Sequence, residues 1–574
     1  MNNAGTWWLK GAWLELGIGA AVLGVIAHAI RRYRQHTDVR PLRALTHPRS
    51  VLARKLETLA FLPLFEQMAR PRHLDSYDDA GLGWLTEAPQ SYRAVSIERF
   101  LRDVTRLRIA QALGQALARC YWRAWYQDDA IADGHVFYLD MHDKVIWTNK
   151  PSPVGFVSAL HEVRACLKQA FVHGRGGHAL FCQTYAADVH LSEVVVEVAH
   201  AFEHALGFPV IQVIVTDREG LSREVVQQLA RKNKAFVSLL KANQYHSEAD
   251  FARRGGFRRL RDRHTAQVTH LVADADYQLS SELSVRAALI YDLARPDVLI
   301  ALIATVSRQQ VPDIRRVVGW YLARWNAQEN SFRAQVAFVR LNVNFGLRAK
   351  RVVPDRHVAR QIAELSQHVA AVKHKLESKE GQLAELSARR AKQTQRFNQT
   401  LSKLLRPPQR RRTLAAQRAR QIEVLNQRQQ QRLLKHAARQ TALAEQLESH
   451  RAEQQQVIQT LSQLDPQATF FEVDSEKDQI VAHLRVALHN SALWARDQYF
   501  GLTYRHAVPL SLWRIFFNQD GFYHETASCI VITLNPFRDP RAQREALAAC
   551  RRFNARRIKT ISGKVIEMHL AESI

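Results

Sequence analysis

The chain has 574 residues, which points to several domains, and 47% of them are apolar, enough to bury sizeable cores. Lys and Arg total 81 against 54 Asp and Glu, a formal charge of +27 spread along the chain; this favours a polyanionic partner, nucleic acid first and an anionic membrane surface second, because each neutralised phosphate releases counterions. The five cysteines, Cys120, Cys166, Cys182, Cys529 and Cys550, form no C-x-x-C pair, which argues against a disulfide framework and against a zinc ribbon.

Residues 1–128 are expected to be helical. Gly11 to Ile30 reads GAWLELGIGAAVLGVIAHAI, long enough to span a bilayer. Glu15 and His28 near its ends are costly in hydrocarbon, so a buried core helix is preferred to a membrane helix. No basic segment precedes it and no cleavage site follows it, which speaks against a signal peptide. Apolar residues recur at helical spacing over 51–69 and 96–125, with Ser96 as a cap for the second run. Its Arg99, Arg102, Arg106 and Arg108 face either phosphates or solvent. The region suits a DNA-end-binding domain, although it holds no sharp helix-turn-helix motif.

From about 129 strands and helices alternate, and a catalytic domain is expected over 129–352. HVFYLD (135–140) is a short apolar strand ending in Asp, and HALFCQTYAAD (178–188) is another strand. Ser192 opens an amphipathic helix with Val195, Val198, Ala199, Phe202 and Leu206 on one stripe and Gly207 as its stop. PVIQVIVTD (209–217) is a buried strand, again ending in Asp. Strand, helix and strand in succession imply an α/β layer with parallel pairing.

A β-rich insertion is expected over about 221–308, containing AFVSLLK (235–241), TAQVTHLVAD (265–274) and VLIALIATV (298–306). Its basic run RRGGFRRLRDRH (253–264) either binds DNA or forms a solvated loop. A helix begins at Pro312 and Asp313 and runs through Tyr321, Trp325 and Glu329.

Over 353–466 a heptad pattern predicts an antiparallel coiled-coil hairpin. Ile362, Val369, Leu376 and Leu383 mark one seam position, and Val358, Leu365, Val372 and Leu386 mark the other. Pro407 and Pro408 sit at its tip. The hairpin either dimerises, carries a basic tip to DNA, or is self-contained. Residues 467–574 read as a small α/β unit, with helices at 477–495 and from Asp539-Pro540, and strands at 528–534 and 564–570.

Asp140 and Asp217 close buried strands, where side chains enter the crevice in which α/β sheets bind ligands. Glu329 lies on a later helix. Three converging carboxylates would hold two divalent cations for phosphodiester chemistry, and hard oxygen ligands select Mg²⁺ or Mn²⁺. Asp143 is a rival to Asp140, and Glu219 to Asp217. No Walker-type loop is present to drive the chemistry with ATP.

VIVTDREG (213–220) followed by SREVVQQL (222–229), and YLARWNAQENSFR (321–333), resemble segments of the insertion-sequence DDE transposases. YLDMHDK (138–144), the heptad hairpin and LNPFRDPRAQREALAACRRFN (534–554) extend the likeness over most of 130–574. The resemblance implies an RNase H-like core with Asp140, Asp217 and Glu329 as catalytic metal ligands for two Mg²⁺ or Mn²⁺ ions. It implies cleavage and strand transfer of element ends, double-stranded DNA as partner, a homodimer in the synaptic complex, and a cytoplasmic, nucleoid-associated location. Tyr321 and Arg324 are implied to contact phosphates, with Trp325 beside them. Two features depart from the family's Tyr-x2-Arg-x3-Glu-x6-Lys signature. Four residues, not three, separate Arg324 from Glu329, and position 336 is Val. Arg333, one turn after Glu329, is placed to supply the missing positive charge. The alternative is a DNA-binding protein derived from a transposase and lacking catalysis.

Overall fold

The computed structural model describes every residue except 36–40, 128–134, 263–264, 346, 353–356, 407–412, 468, 505 and 572–574. The chain is mixed α/β and divides into two compact units, one of residues 1–349 with 472–574 and one of residues 350–471. The stretches read from sequence as an N-terminal helical domain and a C-terminal α/β unit therefore share one unit with the central sheet.

That sheet has eleven strands. At its centre Val136–Val145 pairs antiparallel with Glu162–His173, which pairs antiparallel with Ala179–Tyr185. On its other side Val136–Val145 pairs parallel with Val213–Val215, and Val213–Val215 pairs parallel with Ala235–Leu239. Helix Leu191–Leu206 leads from Ala179–Tyr185 into Val213–Val215, and helix Arg223–Arg231 connects Val213–Val215 to Ala235–Leu239. The first ends at Gly207, whose φ of +90° a residue with a Cβ adopts only under strain.

The expected insertion over 221–308 begins later than its sequence indicates. Arg223–Arg231 and Ala235–Leu239 complete the parallel part of the sheet, and the segment beyond them continues the same sheet. Arg295–Ala304 pairs antiparallel with Ala235–Leu239, followed outward by Leu283–Asp292 and Val268–Ser280.

Alternation along the strands sorts the sheet into two faces. Phe137 and Leu139 join the large core, while Val136, Tyr138, Val213, Val215 and Val237 join a second core capped by Val317, Val318 and Trp320. This second core seats the helix Ile314–Arg324 across the sheet. Asp313 starts that helix by accepting a hydrogen bond from the Arg315 N–H.

The N-terminal apolar run is not one helix. Thr6–Glu15 and Ile18–Tyr33 are bent by 56°, with Gly17 at φ +68° between them. Trp7, Trp8 and Trp13 are fully buried, and Glu15 accepts hydrogen bonds from Tyr499 Oη at 2.6 Å and Trp494 Nε1 at 2.9 Å. The first helix is core and its carboxylate is satisfied by the C-terminal segment, whereas the second buries Ile18, Val22, Leu23 and Ile26 and exposes Gly24, Ala27 and His28. Among the described residues no single helix is long and apolar enough to cross a membrane.

The expected helix over 96–125 is likewise two, Ala94–Arg106 and Ala110–Trp125, separated by Arg108 at φ +53°. Ser96 lies inside the first of these and is not its cap; Arg93 holds that position. Helix Ser475–Gln498 is buried along most of its length. Its Asp478 receives Lys144 Nζ at 2.8 Å, an almost fully buried pair that ties it to the central strand. Removing one partner of such a pair strands a charge in the interior.

The second unit holds the two long helices His357–Leu405 and Thr413–Ser462. Val372 and Leu376, both heptad positions, pack with Leu447, and Leu383 lies against them. The Pro407–Pro408 tip lies outside the described residues.

Candidate active site

Asp140 and Asp217 are brought level by strand register. The last parallel pair is Tyr138 with Val215, and each aspartate lies two residues further on. A step of two keeps both side chains on the face that the helix Ile314–Arg324 covers. Asp140 is not a strand end, as its apolar run suggests: the strand continues to Val145, with Asp140 opposite Phe171. What ends there is the parallel neighbour, and this opens the space beside Asp140.

Backbone donors orient the two aspartates in the same way. Asp140 Oδ1 accepts from the Met141 N–H at 2.8 Å, and Asp217 Oδ1 accepts from the Arg218 N–H at 2.6 Å. The second oxygen of each faces one guanidinium. Arg324 Nη1 lies 3.4 Å from Asp140 Oδ2, and its Nη2 lies 3.8 Å from Asp217 Oδ2 and 3.3 Å from Glu329 Oε1. The three carboxylates named from sequence thus surround a single cation whose side chain is 11% exposed.

Glu329 reaches this point by a local change of helix type. The turn Trp325–Glu329 is π-helical, between α-helical Ile314–Arg324 and Asn330–Val339. A π-turn accommodates one extra residue without rotating the helix beyond it. The extra residue between Arg324 and Glu329 is absorbed there, so residues five apart share the face that residues four apart share on an α-helix.

Burial pushes the Asp140 carboxyl up to about 7. The Arg324 guanidinium and the Met141 N–H oppose that rise, and the charges of Glu329 and Asp217 add to it. Burial weighs against charge on Arg324, yet Tyr321 and the three carboxylates hold its guanidinium above the ordinary value. Burial also pushes the Tyr321 hydroxyl up to about 12. The site is therefore an acidic cluster, half-buried at Asp140 and open at Asp217 and Glu329, that favours a cation.

The rival residues are placed differently. Asp143 Oδ1 receives Lys168 Nζ at 2.5 Å and its Oδ2 accepts from the Ser158 N–H at 2.7 Å, so it is spent on a structural ion pair. Glu219 follows Asp217 within the short helical turn Arg218–Gly220 and makes no ion pair with Arg324. Tyr321 packs its ring 5.7 Å from the Arg324 guanidinium. Arg333 lies over the ring of Trp325 at 5.1 Å, and Trp325 is 53% exposed. Of the seven residues named from sequence, the structure brings Asp140, Asp217, Glu329, Arg324 and Tyr321 together, and pairs Arg333 with Trp325 on the same helical segment. Sequence did not reveal that Arg324 points inward among the carboxylates, nor that Lys168 holds Asp143 away.

The donor set fits hard divalent cations, since three carboxylates present oxygen to one point and neither sulfur nor imidazole competes. Among the described residues no three acidic, His or Cys side chains close into a compact metal cage; here the carboxylates are held around the guanidinium instead. No protein-family model matches this chain, and no curated protein matches it.

Proposed function

We propose that the chain is a DNA transposase of the insertion-sequence type, with an RNase H-like core that cleaves and joins the ends of its element. The observation that carries the reading is the convergence of Asp140, Asp217 and Glu329 on one cationic point. The strand order supports it. Three antiparallel strands, with two parallel strands added beside the first and an acidic residue on the first strand, after the fourth and on a later helix, is the arrangement an RNase H-like core requires.

Asp140, Asp217 and Glu329 would hold two Mg²⁺ or Mn²⁺ ions, which when bound supply an activated oxygen nucleophile and a stabilised leaving oxygen. The protein's own contribution is positional. Met141 and Arg218 N–H groups fix the aspartate rotamers, and Asp140 is half-buried, at 15% exposed. Arg324 and Tyr321 are positioned to take a phosphate beside the scissile bond, with Arg333 and Trp325 flanking them. Exposed Arg258, Arg259 and Arg261 on the outer part of the sheet add positive charge for the duplex. The partners are element ends and target DNA. Synapsis of two ends calls for a homodimer, and a cytoplasmic, nucleoid-associated location goes with that role.

The test is nicking of supercoiled plasmid carrying the DNA that flanks the gene. Nicking that requires Mg²⁺ or Mn²⁺ and is lost in Asp217→Asn supports the reading. Equal nicking by that variant overturns it.

A further inference from the structure

We propose that Arg324 is a displaceable internal counter-ion, which keeps the acidic site closed to divalent metal until a DNA phosphate draws its guanidinium away. The inference rests on the proposed function and adds a regulatory step to it.

Three observations carry it. First, the guanidinium holds the metal's place: one oxygen of each aspartate and one of Glu329 face it within 3.3 to 3.8 Å. The other aspartate oxygens are tied to the Met141 and Arg218 N–H groups, and among the described residues Arg324 is the cation paired with all three carboxylates. Second, the guanidinium and Asp140 lie largely away from solvent, at 11% and 15% exposed, while Asp217 at 35% and Glu329 at 31% form the open side of the cluster. A divalent ion entering beside an undisplaced guanidinium would put like charges within a few ångströms, where solvent screens them weakly. Third, the guanidinium has somewhere else to go. Its planar fork matches phosphate as well as carboxylate. Tyr321, three residues earlier on the same helix, keeps its ring 5.7 Å from the guanidinium where it now stands.

Exchange of partners conserves charge around Arg324. Before DNA arrives it neutralises one of three carboxylates; afterwards it neutralises a phosphate and the carboxylates are free for metal. Metal and DNA must then strengthen each other's binding by the same factor. A protein loaded with metal only on DNA is spared unguided cleavage.

The experiment is a titration with Mn²⁺ alone, following free Mn²⁺ by electron paramagnetic resonance, on wild type, Arg324→Ala, Arg324→Gln and Asp217→Asn. Each is then repeated with a 20-base-pair mixed-sequence duplex. Loss of the internal cation is expected to tighten Mn²⁺ binding at least about tenfold without DNA. The duplex is expected to tighten binding to wild type and to leave the Arg324 variants unchanged. Wild type alone must show the DNA effect, so a variant that fails to fold does not rescue the proposal. If the Arg324 variants match wild type while Asp217→Asn loses the ion, the internal counter-ion is wrong and the metal site stands. If all four bind Mn²⁺ alike, the metal-site reading itself falls.

Discussion

Arg324 Nη2 lies 3.3 Å from Glu329 Oε1, although the two are five positions apart on one helical segment. On a regular α-helix that step would turn the two side chains about 140° apart. The π-turn over Trp325–Glu329 removes the rotation. Its geometry yields a prediction about length. Deleting Ala327 should let the turn relax to α-helix with Glu329 still facing Arg324, and metal-dependent nicking should survive. Inserting one alanine after Trp325 should swing Glu329 by about 100° and abolish nicking. Plasmid-nicking assays on the two variants check this, and the opposite ranking would count against the π-turn as the positioning device.

The choice between Asp140 and Asp143 has a separate readout. Asp143 holds Lys168 with both side chains at most 10% exposed. Asp143→Asn should therefore cost stability, about 3 kcal/mol for breaking a buried pair, and leave nicking per folded molecule intact. Asp140→Asn should do the reverse. Thermal melts alongside nicking assays separate the two; a fully active Asp140→Asn would transfer the catalytic role elsewhere.

Arg333 and Trp325 are stacked on one another and exposed. Replacing Arg333 with alanine should leave the melting temperature nearly unchanged and weaken DNA binding. The plot of log affinity against log salt should become shallower by about 0.9, the value of one lost phosphate contact. An unchanged slope would remove Arg333 from the DNA interface.

Acid should unfold the protein earlier than its carboxylates alone would dictate. Burial lowers His173 to about 3, His483 to about 4 and His489 to about 3, and it lowers His178 as well. These rings are neutral when folded and protonate near pH 6.5 when unfolded, so the unfolded chain binds more protons below that value. Their contribution is complete above about pH 6.5 and is lost as pH falls toward 3. Urea midpoints should already drop between pH 7 and 5.5. A flat profile over that interval would contradict the buried neutral assignment.

Sequence exposed those parts of the fold whose pattern is local. Asp217 stood out because it closes the mostly apolar run PVIQVIVT, of which only Val213–Val215 is strand and Gln212 is exposed, and the hairpin helices stood out because Val372 and Leu376 sit in a sustained heptad. The continuation of the central strand past Asp140 was hidden. DMHDK looks polar, yet Asp143 and Lys144 are satisfied at a distance by Lys168 and Asp478. Its antiparallel partner Glu162–His173 was hidden for the same reason: Lys168 reads as a solvent residue until Asp143 is placed beside it. Gly17 broke an apolar run by adopting a left-handed conformation that composition does not announce. The extra residue before Glu329 was visible as a spacing anomaly, but its resolution as a π-turn depends on both flanking α-helical segments packing on the core. Local periodicity was legible; charges satisfied across the fold were not.

The central claim is that Asp140, Asp217 and Glu329 form one metal-holding site. Replacing Mg²⁺ with Fe²⁺ on the DNA-bound protein, then adding ascorbate and peroxide, cuts the backbone next to the bound metal, and mass spectrometry locates the cuts. The account predicts cuts clustered around residues 140, 217 and 329, all three abolished together in Asp217→Asn. Cuts elsewhere, or cuts at these positions that persist in the variant, would contradict it.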